Sequence, residues 1–386
     1  MEKQKICIIG GSLTGLITAL SLSNLNCEID LVTGNINQSK KSTRSIAVSD
    51  HNFDFVNRLN IYKSSKGVVW PCSIMKLYTE DKNKKFIEIF ELNKKKINQN
   101  IFHMIESSKI SKLIINKIKK IKSISIKPNE KINAVENLGL LKSVRYKNKS
   151  VKYNLVIICT GSNSSLVKKI FENDVIYNPY KELSITTVLK HRSVNNNIAR
   201  QIFLNNGILA MLPISNNSTS IVLSVKKNKK IDDSYIKKII KFYTKNYLAN
   251  IKFDNKIEYK DLNFLIRKKY YKERVLLFGD ALHIIHPFVG QGFNMTIRDL
   301  AVLKNVLEKK LGLGLDIGSS DVLLEFSQTS QPRNFAFSLS VDVLKNYFSI
   351  ENKYFKEFRN NLLKNINKSN YIKNIFFKIA NKGFEF

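Results

Sequence analysis

The stretch Arg274–Asp299, RVLLFGDALHIIHPFVGQGFNMTIRD, decides how the rest of the chain is read. RVLLF is a continuous apolar run of strand length, the pattern of a strand covered on both faces. It runs into Gly279-Asp280, which makes Asp280 a strand-end carboxylate able to accept hydrogen bonds from ligand hydroxyls. His283-x-x-His286-Pro287 follows, and Gly290-Gln291-Gly292 then opens a helical pattern. Glycines at such a turn let backbone come close to a flat ring, and a helix N-terminus stabilises negative charge beside it. His283 and His286 have a spacing that a metal would accept, but no Cys, Asp or Glu cluster completes such a site, so no metal is expected.

The chain opens with a related unit. Lys5–Ile9 (KICII) reads as a strand, Gly10-Gly11-Ser12-Leu13-Thr14-Gly15 as a turn, LITALSLSNL as a helix by its apolar spacing and Glu28–Val32 (EIDLV) as a second strand. This is the first βαβ unit of a dinucleotide-binding sheet. The turn needs glycine for tightness and for close approach to a pyrophosphate, and the helix N-terminus offers N–H groups to the anion. Two departures weaken the pattern. Ser12 stands at the middle glycine, and Thr33 stands where an acidic residue grips ribose hydroxyls. Glu28 and Asp30 lie too early in the strand to reach. An ordinary βα turn is the alternative reading of this motif alone.

The 386 residues allow one large or two interlocked domains, and 43% hydrophobic against 25% charged residues is ordinary for a globular chain. The formal net charge is +33, which raises nucleic acid as a partner. Only ten of the 64 basic residues are Arg, the side chain that reads phosphates and bases with paired hydrogen bonds. Lys arrives together with Asn and Ile, the signature of A/T-rich codons. A solvated, compositionally biased surface is therefore the reading preferred over a nucleic-acid face; if the basic face was selected, an anionic membrane competes as its partner. Cys7, Cys27, Cys72 and Cys159 form no CxxC pair, and Cys7 and Cys159 sit in apolar runs, as expected of reduced thiols in a cytoplasmic protein. No signal peptide or membrane-spanning helix is expected.

Between the two glycine turns, IMKLYTE and KFIEIFEL (within 68–97) alternate as antiparallel strands, and Ser107–Ile121 has helical spacing. Two strands flank a turn at Lys147–Lys149. Asn154–Gly161 (NLVIICTG) is a buried strand, and 180–226 alternates as a second antiparallel sheet. Residues beyond about 293 are mostly helical. Trp70-Pro71 is placed at the border of the two sheets, and His103 and His191 are packing or surface residues. In Tyr354–Phe384, Ile372, Ile375, Phe376 and Ile379 recur at helical spacing with Lys373, Lys378 and Lys382 between them. Two readings stay open there: a basic amphipathic helix on a bilayer, or a helix packed on its own domain. The fold expected is α/β: a Rossmann-like, mostly parallel sheet domain (1–67, 98–178 and 266–386, with C-terminal helices) carrying an inserted antiparallel substrate sheet (68–97 and 179–265).

GDALHIIHPFVGQGFNMTIRD closely resembles the second flavin motif of FAD-dependent aromatic hydroxylases of the p-hydroxybenzoate hydroxylase type. Its His-Pro, Gly-Gln-Gly and Asn294 are most similar to the ubiquinone-biosynthesis ring monooxygenases. STRSIAVS (Ser42–Ser49), RQIFLNNGILAMLPI (Arg200–Ile214), LDIGSSDVLLEFSQTSQPR and VDVLKNYFS resemble family segments in the same order, so the likeness runs nearly the whole chain. It implies an FAD-dependent monooxygenase acting on a polyprenylated phenolic ubiquinone precursor with O2 and NAD(P)H or another reductant. It places Gly10, Gly11, Ser12, Leu13, Thr14 and Gly15 on the pyrophosphate and Gly279 and Asp280 at the ribityl chain. Arg44 contacts the cofactor, and Pro287, Gly290, Gln291, Gly292 and Asn294 lie at the ring. No side chain is identified as a catalytic base. The family's GADG-x-x-S-x-x-R segment reads Ile158-Cys159-Thr160-Gly161-Ser162-Asn163-Ser164-Ser165-Leu166-Val167 here, so Thr160 stands at the Asp and Val167 at the Arg, with Lys168 next door. These departures keep a second class in view, a degenerate flavin-fold scaffold subunit of a ubiquinone-biosynthesis complex. A cytoplasmic protein with no nucleic-acid partner is expected, and a peripheral contact at the inner face of the membrane and a ubiquinone-biosynthesis complex stay open as partners.

Overall fold

The computed structural model describes residues 3–36, 42–62, 67–81, 83–94, 99–147, 149–171, 174–227, 231–254, 256–350 and 352–384. Residue 148 of the expected Lys147–Lys149 turn lies outside the described residues, as do the domain-boundary residues 1, 97 and 386.

The apolar runs build a six-stranded sheet. Its order is Tyr271–Lys272, Val275–Leu277, Leu155–Ile158, Gln4–Ile9, Cys27–Val32 and Ile124–Lys127. All pairings are parallel except the edge hairpin at Tyr271–Lys272. Ile6, Ile8, Val156, Ile157 and Leu276 are fully buried, because helices such as Leu13–Leu22 cover one face and a three-stranded antiparallel sheet carrying Val144, Tyr146 and Tyr153 packs on the other, leaving the strands no solvated side. The nine helices among the described residues are α1 (Leu13–Leu22), α2 (Asp50–Arg58), α3 (Ser107–Ile118), α4 (Ser165–Phe171), α5 (Asp233–Thr244), α6 (Gly292–Gly312), α7 (Ser320–Ser349), α8 (Lys353–Lys368) and α9 (Asn370–Lys382). The four cysteines are free and buried, and burial pushes the Cys159 thiol up to about 12, which keeps it protonated and inert.

The second sheet has nine strands. Its main order is His283–Ile284, Glu258–Arg267, Val175–Lys190, Ser218–Lys226, Gly207–Ser215, Ile198–Leu204, Ile74–Glu80 and Phe86–Asn93, with Lys252–Phe253 alongside Val175–Lys190. It is antiparallel except where Ile74–Thr79 runs parallel to Ile198–Phe203. Alternation sorts its faces. Ile185, Leu209, Met211, Ile221 and Leu223 pack with Ile236 and Ile240 of α5, so Ala210, Leu212 and Val222 face the other way.

Three features go beyond the sequence reading. Val69–Cys72 joins Ser45–Ser49 and Phe102–Glu106 in a small sheet of its own; Trp70 donates its indole N–H to the Asn196 carbonyl at 2.6 Å, fastening that sheet to the larger one. The strand pair Leu141–Tyr146 and Lys149–Tyr153 gains a third strand, Ile132–Leu138. The C-terminal segment is two helices, because Ser369 ends α8 and caps α9 by accepting from the Ile372 N–H.

The parallel core depends on side chains such as Ile157. Ile157→Ala is expected to lower the unfolding free energy by about 2–5 kcal/mol, read from urea unfolding with an unchanged slope; a loss under 1 kcal/mol would contradict the packing described.

Candidate functional site

The first turn is built from close approach. Gly10 has φ +132°, and a Cβ there would stand 2.8 Å from the Cys159 carbonyl oxygen; a Cβ on Gly15 would stand 1.9 Å from the Gly10 oxygen. Only glycine fits either position. The Leu13 side chain enters the core, leaving only its backbone for a ligand. Ser12 precedes α1 but does not cap it, its hydroxyl instead facing the Cys159 carbonyl at 3.5 Å. No acidic residue lies in the first turn of α1, so its N-terminus suits an anion. A Cβ on Gly279 (φ +63°) would meet the Thr14 methyl at 2.6 Å, which joins the first motif to the second.

Asp280 follows in a short 3-10 turn, Gly279–Ala281. Its carboxylate is 62% exposed and 3.9 Å from Lys260. It faces an open groove of about 730 Å³ that Thr160, Gly161, Ser162 and Asn163 also line, at the carboxyl ends of the parallel strands, where open α/β sheets bind ligands. Arg44 is half-exposed and 3.5 Å from Glu258, which also accepts from the Thr43 N–H at 2.8 Å. The segment carrying Arg44 is thereby tied to the second sheet.

Beyond His283–Ile284 the chain turns at Pro287 and returns through Gly290, with φ +67°, to α6. A cavity of about 220 Å³ lies between this turn, the strand Ser45–Ser49 and the second sheet. Its walls include Ala47, Met75, Phe102, Gln201, Ala210, Leu212, Val222, Pro287, Gly290 and Gly292. The strand alternation in 207–214 signals the two inward positions Ala210 and Leu212; nothing local signals Met75 or Phe102.

Asn294 lies behind the turn rather than in the cavity. Fully buried, it donates to the Ala47 and Gly290 carbonyls at 2.8 and 3.2 Å. Its oxygen accepts from the Ser49 N–H at 2.8 Å and from Asn52 at 3.0 Å. Gln291 is also buried and donates to the Ala380 carbonyl of α9 at 3.1 Å. These two side chains hold the turn, while the backbone of Gly290–Gly292 faces the cavity.

The histidines diverge to separate carboxylates. His283 meets Asp299 at 2.9 Å, and Asn334 donates to both oxygens of that carboxylate. His286 meets Glu182 at 3.3 Å, and Lys345 of α7 meets the other oxygen of Glu182 at 2.8 Å. Burial alone would raise the Glu182 pKa, but hydrogen bonds from His286 and Lys345 outweigh it and hold the carboxyl below its usual range. His103 stacks on Phe53 and meets Asp50 at 2.8 Å; His191 meets Thr219 at 2.9 Å. Both are packing residues.

These residues fit FAD at two places, the glycine turn with its uncapped helix for the pyrophosphate and the apolar cavity for the ring. The ribose end fits less well. Thr33 is buried, directs its hydroxyl to the Gly34 carbonyl at 3.3 Å and lies where a Cβ on Gly11 would strike its oxygen at 1.9 Å.

Residues 3–332 match a family model described as FAD binding domain. The ubiquinone biosynthesis monooxygenase COQ6 of Dictyostelium discoideum is 23% identical over 97% of this chain and 90% of that protein. The Xenopus tropicalis COQ6 is 25% identical over half of each chain, and the ubiquinone hydroxylase UbiL of Rhodospirillum rubrum is 23% identical over 64% of this chain and 59% of that one. The p-nitrophenol 4-monooxygenase PnpA from Pseudomonas putida shares the fold with a TM-score of 0.80 over the full length of both chains at 14% identity. HpxO of Klebsiella pneumoniae, solved with FAD and uric acid, gives 0.80 at 14% identity over 98% of this chain and 97% of that one.

Asn294→Ala orphans a buried N–H and two carbonyls, and is expected to cost about 2–3 kcal/mol in urea unfolding and to reduce the FAD retained after desalting. An unchanged midpoint would exclude the pin. Glu182 has a depressed pKa in the fold, so its stabilising effect is present above the unfolded value of about 4.3 and disappears as pH falls through the lower folded value. Glu182→Gln should therefore destabilise clearly at pH 7 and much less at pH 3; an equal cost at both would rule out the ion pairing.

Proposed function

Because the chain belongs to the FAD binding domain family, we propose that it is an FAD-dependent monooxygenase that hydroxylates the aromatic ring of a polyprenylated ubiquinone precursor, using O2 and NAD(P)H or another reductant. The observation that carries this reading is the apolar cavity between the glycine turn and the inward face of the second sheet. The likeness to the COQ6 and UbiL proteins supports the substrate class.

FAD supplies the redox chemistry and O2 activation that side chains lack. The chain's own part is binding, orientation and exclusion of water. Gly10–Gly15 would hold the pyrophosphate at the start of α1, with Arg44 along the cofactor and Asp280 accepting from ribityl hydroxyls. Pro287 and the Gly290–Gly292 backbone would lie against the ring, and the N-terminus of α6, which no side chain caps, would stabilise negative charge there. Met75, Phe102, Leu212 and Val222 would wall the phenol and keep water out. A polyprenyl tail partitions into lipid, so this reading places the protein as a peripheral partner of the inner membrane face, within reach of other ubiquinone-synthesis proteins. No helix among the described residues is long and apolar enough to cross a membrane.

One observation favours a second reading, a scaffold subunit: the buried Thr33 leaves the ribose without a carboxylate. The visible spectrum before and after adding FAD and desalting separates the two. The enzyme keeps flavin bands, consumes O2 when given a prenylated phenol and releases product carrying one oxygen atom from labelled O2. A folded protein that retains no flavin and hydroxylates nothing would be the scaffold; turnover without oxygen transfer would mark an oxidase or dehydrogenase.

A further inference from the structure

The last two helices lie beyond the residues matched by the FAD binding domain family. Residues 352–384 carry eight Lys and Arg and a single acidic residue, Glu357. The helix pair has two dissimilar faces.

Its inner face belongs to the site. Ile366 and Phe377 pack against the apolar cluster that includes Ala47, Met75 and Phe102, three walls of the ring cavity. Gln291 donates to the Ala380 carbonyl, and Ser49 donates to the Asn381 carbonyl at 2.8 Å. The outer face is turned to solvent. Tyr354, Phe358 and Leu362 follow one another at i, i+4 and i+8 on α8, exposed by 77, 61 and 39%. On α9, Tyr371 and Ile375 are 77 and 40% exposed, and helical spacing continues their stripe into Lys378 and Lys382. Lys364, Lys368, Lys378 and Lys382 are all exposed.

We propose that the outer face of α8 and α9 docks the protein on an anionic lipid bilayer. An aromatic and aliphatic stripe enters the headgroup boundary, tyrosines favour that depth, and lysines extend their ammonium groups to the phosphates. A protein partner is the competing occupant. The eight basic residues against one carboxylate match a continuous anionic surface of headgroups. The geometry also gives the contact a purpose, one that rests on the proposed function: α9, which holds Tyr371 and Ile375 outward, packs on Ser45–Ser49, a wall of the ring cavity. The prenyl tail can stay in lipid while the phenol head enters the protein.

The test is co-sedimentation of the FAD-loaded full chain with vesicles of phosphatidylcholine, alone or with one-third phosphatidylglycerol. Binding to the anionic vesicles should be at least about tenfold stronger and be reversed by high salt. Tyr354→Ser/Phe358→Ser/Leu362→Ser and Lys364→Glu/Lys368→Glu should each weaken it by roughly tenfold or more. Both variants should keep the wild-type flavin spectrum and turn over a short-chain, water-soluble phenol normally. Failure of the wild type to bind anionic vesicles at low salt would overturn the proposal, as would binding that neither variant alters. So would loss of one specific co-purifying protein from the variants with vesicle binding intact, since the face would then be a protein interface. Vesicle binding is read without substrate; absence of turnover with every phenol would refute the hydroxylase reading and leave the docking result standing.

Discussion

The site is organised by one buried carboxamide. Asn294 spends both ends of its side chain inside the protein, on the carbonyls of Ala47 and Gly290 and on donors from Ser49 and Asn52. It thereby sets the distance between the glycine turn and the strand facing it, and that distance is the width of the ring cavity. A polar group with no exposure is stable only when its hydrogen bonds are made. The same bonds also join α6, α2 and the small sheet, so the cavity wall cannot shift without breaking buried pairs.

The two ends of the cofactor track are held unequally. At the ring end, Gly290–Gly292, Asn294 and Gln291 form a rigid turn braced by α9. At the far end, the buried Thr33 packs against Gly11 and brings no carboxylate to a ribose. In the proposed reading, cofactor binding would rest on the pyrophosphate turn, Arg44, Asp280 and the ring cavity. That is consistent with a flavin that reacts at the ring, where position matters most.

Much of this was legible in the sequence, because the informative signals are local. The run RVLLF, the glycines of both turns and the alternation of 207–214 each define an element by spacing alone, and the motif order identified the fold. The roles of particular side chains were less accessible. Asn294 is similar to a family residue at the ring, yet whether its amide faces a ligand or the backbone behind the turn depends on strands more than two hundred residues away. Val69–Cys72 has the alternation of its neighbours, but its pairing with Phe102–Glu106 rather than with Ile74–Glu80 is a non-local choice. The burial of Thr33 arises from its contact with Gly11, which a strand pattern does not report. For the C-terminal segment, sequence spacing correctly described an amphipathic helix; only the packed structure separates the face turned to Ala47 and Met75 from the face carrying Tyr354 and Phe358.

The chain passes from Val275–Leu277 in the parallel sheet to His283–Ile284 at the edge of the second sheet within a few residues. Each sheet thus takes one strand from a segment near position 280. At an elongation rate of about 5–20 residues per second, the first half of the protein emerges many seconds before the segment that completes both layers. Until then Leu155–Ile158 presents an unpaired, apolar strand edge of the kind that recruits other chains. The crossing that positions the cofactor turn thus also makes folding wait for the late part of synthesis and ties both sheets into one cooperative unit.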